Sequence, residues 1–169
     1  MKITFRDVSY DDFHMLFEWC QNEFVYEWFE QRKLSYDEII EKYTNKINNG
    51  IQKLFIFQCD GKDIGLVQIY KYDDYIKIDN YNNIYEYDLY IGEEDYLSRG
   101  VGTFVVNEID NYIYNDYNAD AIVLRPFSRN IRAIKCYMKC GYDKIDEYDG
   151  HDTLGNDEKI TVLIRKKGM

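Results

Sequence analysis

The chain has 169 residues, of which 46% are apolar, and a formal net charge of −10 at pH 7. Such a chain is long and apolar enough for one domain, residues 1–169, with a full hydrophobic core, which excludes disorder by composition. The acidic balance argues against a nucleic-acid partner, because phosphate backbones are bound by Lys and Arg, and it suits either a cationic small molecule or simple solubility.

Hydrophobic periodicity predicts a strand and two longer helices in the first 50 residues. Ser35 and Glu38 form an S-x-x-E capping box, which places the start of the second helix, and Ile39 and Ile40 are expected on its inward side. The predicted elements are a strand at 2–7, a helix over about 13–20 capped by Asp11 or Asp12, a short aromatic element at 23–30, and a helix from Ser35 to about Asn48.

Strand and helix patterns alternate along the rest of the chain. A turn at Asp60-Gly61 separates "KLFIFQC" from "DIGLVQIYKY", which predicts a β-hairpin. Phe104 is expected on the buried side of a helix that opens at Gly100. The further predicted elements are a strand at 84–91, a helix from 100 to about 114, a strand at 121–125, a helix at 130–140 ended by Gly141, and closing strands at 143–147 and 160–166. This order, without linker or repeat, favours the α+β class.

Neither a metal site nor a membrane span is expected from the sequence. Cys136 and Cys140 lie four residues apart on a predicted helix with no histidine beside them, and the chain has only two histidines. We therefore expect four reduced thiols, no bound metal and a cytoplasmic protein. No apolar run reaches the roughly 18 residues that a membrane helix needs, and the N-terminus lacks the apolar run of a signal peptide.

A glycine-rich turn, "YLSRGVGT" from Tyr96 to Thr103, joins a predicted strand to a predicted helix. The amides at a helix N-terminus have no internal partner and the macrodipole is positive there, while glycine lets an anion approach the backbone. Arg99 adds a positive charge. The pattern therefore predicts a phosphate site, although the same residues are also compatible with a tight strand-to-helix turn.

A basic segment follows the last buried strand and favours the first interpretation. Between residues 125 and 142 the chain carries five cations and no acid, in contrast to its overall charge. These cations are Arg125, Arg129, Arg132, Lys135 and Lys139. A solvated helix face more often mixes both signs, so the segment predicts a phosphate-rich ligand.

Both segments resemble the GCN5-related N-acetyltransferase (GNAT) superfamily. "YLSRGVGT" is similar to the acyl-CoA pyrophosphate loop, Q/R-x-x-G-x-G/A, and "NIRAIKCYMKCGY" is similar to the later helix, N-x-x-A-x-x-x-Y-x-x-x-G-F/Y. "DLYIGE", which begins at Asp88, looks like the D-x-F-I-G-E segment of aminoglycoside 6′-N-acetyltransferases. The resemblance covers nearly the whole chain and is strongest from Tyr87 to Tyr142.

The resemblance implies a GNAT fold, that is, a mixed twisted sheet flanked by helices in which strands 84–91 and 121–125 splay apart. Acetyl-CoA is expected in that gap, with its pantetheine arm along the main chain of Leu89, Tyr90 and Ile91. The pyrophosphate is expected on the loop, and the later helix completes the site. The implied residues beyond the strand are Arg99, Gly100, Val101, Gly102, Thr103, Asn130, Ala133, Tyr137 and Lys139.

N-acetylation requires a group that accepts the proton of the amine and a group that protonates the leaving thiolate. The resemblance implies Asp88 as the base, either directly or through water, and Tyr137 as the acid. An ordinary strand carboxylate and a packed helix tyrosine are the alternatives. An acidic, aromatic substrate cleft is expected from Glu27, Trp28, Tyr70, Asp73, Asp74 and Asp88.

The substrate implied by the resemblance is the 6′-amine of an aminoglycoside antibiotic. Polyamines, a siderophore lysine and a protein N-terminus are alternatives, as is a non-catalytic acyl-CoA-binding module, and the chain is expected to be a monomer or a homodimer. Two positions depart from the pattern: Leu97 replaces the first Q/R of the loop, and Arg125-Pro126 replaces the Asp-Pro of the subfamily. Arg125 is expected to repel an ammonium unless nearby acids neutralise it, so Arg125→Asp is expected to improve weak aminoglycoside acetylation.

Overall fold

The computed structural model describes residues 1–73 and 76–168 and contains one seven-stranded sheet. Its strand order is β1-β2-β3-β4-β5-β7-β6, and all neighbouring strands are antiparallel except the parallel pair β4 and β5. The strands are β1 Ile3–Asp7, β2 Lys53–Cys59, β3 Lys62–Lys71, β4 Ile84–Ile91, β5 Ala121–Leu124, β6 Asp143–His151 and β7 Asp157–Lys166. This mixed sheet confirms the predicted fold class.

Helices cover both faces of the sheet. They are α1 Phe13–Cys20, α2 Glu23–Tyr26, α3 Tyr36–Asn49, α4 Val101–Asp116 and α5 Ile131–Lys139. The capping box of Ser35 and Glu38 is present at the start of α3. One core joins α4 to strand residues such as Val67 and Tyr87, and the other joins α1 and α3 to Leu66 and Tyr90. Successive side chains of β3 and β4 therefore pack on opposite faces of the sheet.

The two central strands separate part of the way along β4. Pairing between β4 and β5 is confined to Ile84–Ala121, Tyr85–Ile122 and Glu86–Val123. Beyond Glu86, β4 continues to Ile91 and still pairs with β3, whereas β5 ends at Leu124. The predicted splay is therefore confirmed, and it leaves one edge of β4 without a partner strand.

Three details of the predicted elements are wrong. Phe104 and Ile40, which were expected to be buried, are 51% and 37% exposed. Each lies at the margin of an amphipathic helix whose buried apolar face is narrower than the spacing of its apolar residues suggests. The last two strands extend well beyond the predicted ranges and form a hairpin. Most of β6 is exposed at the edge of the sheet, so its polar sequence carries no alternating signal.

None of the helices in residues 1–73 and 76–168 has the length and apolar character needed to cross a bilayer.

Candidate active site

A cleft of about 450 Å³ opens where β4 and β5 separate. Its walls come from β4, the glycine loop, the first turns of α4 and α5, the α2 segment and the residues after β5. The predicted site residues that line it are Trp28, Asp88, Leu89, Tyr90, Ile91, Gly100, Gly102, Thr103, Asn130, Ala133 and Tyr137. Residues far apart in sequence therefore meet in one cavity.

Other predicted residues lie outside this lining. They are Glu27, Tyr70, Asp73, Arg99, Val101 and Lys139, whereas Asp74 lies outside the described residues. Val101 is 2% exposed and belongs to the core beneath the loop, so only its main chain can serve a ligand. Tyr70 and Asp73 instead contact charged residues of the site, as described below.

The N-terminus of α4 forms one end of the cleft. Gly100 is its N-cap, with φ of 77°, a left-handed conformation that glycine adopts without strain. No side chain caps this helix and its first turn contains no acid, and the amides of residues 101–103 donate to no acceptor in the described chain. A Cβ at Gly102 would lie 3.3 Å from Sγ of Cys136, so the glycine keeps the turn open. These features fit a diphosphate group.

Asn130 lies at the start of α5, on the opposite wall of the cleft. Its Oδ1 caps the helix by accepting a hydrogen bond from the amide of Ala133 at 3.3 Å. Its side-chain nitrogen has no acceptor among the described residues. The residue therefore orients α5 with one atom and retains a donor for a ligand in the cleft.

Asp88 presents a carboxylate to the cleft from the face of the sheet that α3 covers. Its Oδ2 accepts a hydrogen bond of 2.9 Å from the hydroxyl of Tyr70, and its Oδ1 has no donor in the described chain. The carboxyl is accessible from the cleft, but the surrounding protein displaces much of its water. This desolvation raises the pKa of Asp88 above its usual value, and the Tyr70 hydrogen bond opposes the rise. A carboxylate of raised pKa is suited to accept a proton.

Tyr137 lines the cleft from α5, and its ring packs against Tyr142 with 5.9 Å between centroids. Its hydroxyl has no hydrogen-bond partner within the described ranges. Burial raises the pKa of Tyr137, so the phenol remains protonated at neutral pH. It is therefore available as a proton donor on the opposite wall from Asp88.

A buried carboxylate beneath the cleft supports this wall. Asp110 of α4 is 0% exposed and accepts hydrogen bonds from Tyr87 at 2.9 Å, Tyr142 at 2.8 Å and Arg165 at 2.6 Å. Burial raises the pKa of Asp110 to about 6, while the bonds from Tyr142 and Arg165 oppose the rise. The network holds Tyr142 under Tyr137. Sequence analysis missed it, although an acid directly after the core residue Ile109 was an available signal.

Arg125 is bound to a buried carboxylate that sequence analysis did not consider. Its Nε and Nη2 each donate a hydrogen bond of 2.8 Å to Glu86, which is 2% exposed. Nη2 also lies 3.2 Å from Asp73, one of the acids expected to neutralise it. Burial raises the pKa of Glu86 to about 7, and the guanidinium opposes this rise. The expected repulsion of an ammonium is therefore largely compensated inside the protein.

Aromatic side chains form the remaining wall of the cleft: Phe24, Trp28, Phe29 and Phe127. The guanidinium of Arg129 lies 4.7 Å from the ring centroid of Trp28 and forms an ion pair with Glu158 at 2.8 Å. The predicted phosphate strip is therefore wrong for Arg125 and Arg129, because both are engaged by carboxylates near this wall. Of the five cations, Arg125 and Arg132 line the cleft, and Arg125 is paired there with Glu86.

The tip of the β6–β7 hairpin is hydrogen-bonded to the residues that follow α2. The amide of Thr153 donates to the side chain of Gln31 at 2.9 Å, and its hydroxyl donates to the carbonyl of Phe29 at 3.0 Å. Phe29 in turn packs edge-on against Tyr90 of β4, with 5.1 Å between ring centroids. The aromatic wall thus depends on residues from the C-terminal hairpin.

Comparison with known proteins gives one consistent result. A model of the acetyltransferase (GNAT) domain matches residues 9–150. Aminoglycoside N(6′)-acetyltransferase type 1 of Klebsiella pneumoniae is 25% identical over 150 residues, which are 84% of this chain and 74% of that protein. Spermidine N(1)-acetyltransferase of Vibrio cholerae is 24% identical over 143 residues, or 83% and 79% of the two chains.

Solved structures show the same fold. The aminoglycoside acetyltransferase AAC(6′)-Ib in complex with coenzyme A and kanamycin superimposes with a TM-score of 0.82 and 22% identity. The match covers 98% of this chain and 95% of that one.

Proposed function

The chain belongs to the GNAT acetyltransferase family, and from that membership we propose that it acetylates the 6′-amine of an aminoglycoside. The family's acyl donor is acetyl-CoA, and the matched residues 9–150 include both walls of the cleft. The proposed acceptor is supported by the aminoglycoside acetyltransferase relative, whose similarity extends over 84% of this chain.

The donor end of the cleft suits acetyl-CoA, which would supply an activated acyl thioester. The free amides at the start of α4 would bind its diphosphate oxygens, and the open edge of β4 at Leu89 to Ile91 would hold the pantetheine arm. Asn130 would donate a hydrogen bond to that arm through its side-chain nitrogen. These residues would orient the thioester between the two catalytic candidates.

Transfer requires a neutral amine and a protonated leaving group. Asp88 would hold the incoming ammonium through its free Oδ1 and accept its proton, either directly or through water. Tyr137 would donate its phenolic proton to the departing sulfur, because its hydroxyl has no competing partner. The observation that carries the proposal is this pair, an unshared carboxylate oxygen and an unshared hydroxyl in one cleft.

A polyamine is the second candidate acceptor, because the spermidine acetyltransferase relative covers 83% of this chain. Rings of Trp28 and Phe29 can contact either kind of amine by cation–π interaction. The aminoglycoside is placed first because the aminoglycoside acetyltransferase relative matches over 150 residues, against 143 for the spermidine acetyltransferase. Weak binding is expected, because the acids Glu86 and Asp73 are already paired with Arg125.

The test is a thiol-release assay with acetyl-CoA and three acceptors in parallel: kanamycin, spermidine and N-terminal peptides. We expect turnover with kanamycin at a high KM and slower turnover with spermidine. Turnover with peptides alone would contradict the proposed acceptor. Acetyl-CoA binding by calorimetry without turnover of any amine would instead indicate a non-catalytic acyl-CoA-binding protein.

A further inference from the structure

Four polar side chains from β3 and β4 share the face of the sheet that α3 covers. Gln68 lies opposite Asp88 in the ladder, and Tyr70 lies opposite Glu86. Because alternate residues of a strand point to one face, these four form a polar floor next to the acceptor end of the cleft. Asp88 is the only acid that lines the cleft within the described residues, so the charges around it decide which amines it can bind.

Most cations near this floor are engaged by carboxylates. Arg125 is paired with Glu86, and Lys42 of α3 is paired with Glu30. Lys46, one turn further along α3, is different. Its ammonium donates to Oε1 of Gln68, a neutral group, and no carboxylate in the described chain lies within ion-pair distance of it.

Besides Gln68, the half-buried ammonium of Lys46 contacts the ring of Tyr43, 5.8 Å from its centroid, and the acids that act on it lie beyond ion-pair distance. Desolvation and, to a smaller extent, repulsion from Lys42 lower the pKa of Lys46 to about 8, while Asp88 and Glu30 oppose the shift. The influence is mutual, because Lys46 is the strongest of the cationic charges that act on Asp88, ahead of Arg125 and Lys42. The charged groups that act on Lys46 are thus Lys42, Asp88 and Glu30, and Tyr70, Arg125 and Lys42 act with it on Asp88.

We propose that Lys46 is a specificity-determining residue of the acceptor site, which opposes amines that carry a second ammonium close to the reacting one. The ammonium of Lys46 is bonded to Gln68, the strand neighbour of Asp88. An acceptor therefore brings its own positive charges to a site that already contains one positive charge. The favoured acceptor presents a single ammonium to Asp88 and neutral groups around it. This inference rests on the proposed function and specifies the charge pattern of its substrate.

Kanamycin A and kanamycin B form a suitable pair of probes, because they differ only in a hydroxyl or an amine at the 2′ position of the ring that carries the 6′-amine. Lys46→Met removes the charge and keeps the length of the side chain, whereas Lys46→Arg keeps the charge. Lys2→Met is the control for net charge. It removes one charge at an exposed position next to β1, the strand at one edge of the sheet.

The measurement is the Kd of each antibiotic for the enzyme–CoA complex at pH 7, by calorimetry, which requires no turnover. In Lys46→Met we expect the ratio of affinities to shift about three- to tenfold toward kanamycin B, with the Kd for acetyl-CoA unchanged. Lys46→Arg and Lys2→Met should keep the wild-type ratio.

An unchanged ratio in Lys46→Met, or an equal shift in Lys2→Met, would overturn the inference, as would the absence of antibiotic binding to both wild type and Lys46→Met. A different outcome of the same experiments tests the proposed function. Binding with the expected ratios but no acetylation of any amine would contradict the proposed function and support the role of Lys46.

Discussion

The carboxylate of Glu86 on β4 accepts two hydrogen bonds of 2.8 Å from the guanidinium of Arg125, just beyond the end of β5. Glu86 is also the last residue of β4 that pairs with β5. The ion pair therefore links the two strands at the point where they separate. Arg125 thus closes the acceptor end of the gap, and its charge is directed toward Glu86 rather than toward an incoming amine.

Removal of Arg125 is expected to destabilise the protein. Arg125→Met leaves a buried carboxylate without its main partner, which costs about 3–5 kcal/mol for pairs of this kind. The double variant Glu86→Gln/Arg125→Met should be more stable than Arg125→Met, because it leaves no buried charge. Urea unfolding of Arg125→Met, Glu86→Gln, the double variant and the wild type measures this coupling, and additive effects of the two substitutions would contradict it. Arg125→Asp is expected to lose stability rather than to gain aminoglycoside affinity.

The proton-accepting role of Asp88 predicts a specific pH response. Asp88→Asn should lower kcat/KM about 100-fold or more for every acceptor, and leave the Kd for acetyl-CoA unchanged. Tyr70→Phe removes a hydrogen bond that favours the ionised carboxylate, so the pKa of Asp88 should rise. The acid limb of the kcat/KM profile should then move to higher pH. A limb that stays in place in Tyr70→Phe would argue against Asp88 as the titrating base.

Tyr137→Phe tests the proton donor. The substitution keeps the ring contact with Tyr142 and removes only the hydroxyl, so the fold and the Kd for acetyl-CoA should persist. We expect kcat to fall about 100-fold, because the thiolate must then leave without a proton. The matched control is Tyr142→Phe, which removes a hydroxyl bound to Asp110 rather than one facing the cleft. An equal loss of kcat in both variants would indicate a structural role.

The glycine turn can be tested by charge and by size. Gly102→Asp places a carboxylate among the free amides of α4, so acetyl-CoA affinity should fall more than tenfold, or at least about 1.4 kcal/mol. Gly102→Ala adds only a Cβ, which meets Sγ of Cys136 at 3.3 Å and requires a small shift. Its effect should be several times smaller. Calorimetry with circular dichroism as a folding control separates the two, and unchanged affinity in Gly102→Asp would mean that the turn binds no phosphate.

The elements that form the proposed donor side of the cleft were predictable because their determinants are local. The glycines, the helix that follows them and the strand at 84–91 are contiguous in sequence, and β4 forms at Ile84–Ile91 as predicted. The acceptor side depends on pairs that are distant in sequence. Glu86 lies 39 residues from Arg125, and no periodic pattern marks it as the partner. The aromatic element at 23–30 is visible in the sequence, but its contact with Thr153, which donates to the carbonyl of Phe29, is not.

The contact between Thr153 and the residues that follow α2 bears on the order in which the cleft assembles during folding. Thr153 is separated from Gln31 and Phe29 by 122 and 124 residues, so these hydrogen bonds close a loop that spans most of the chain. Long-range closure carries the largest entropic cost and comes late in folding. The residues proposed to bind acetyl-CoA lie between positions 88 and 137 and are joined by shorter loops, so we expect them to come together earlier in folding than this contact. We therefore expect the proposed cosubstrate site to form before the aromatic wall that would select the amine.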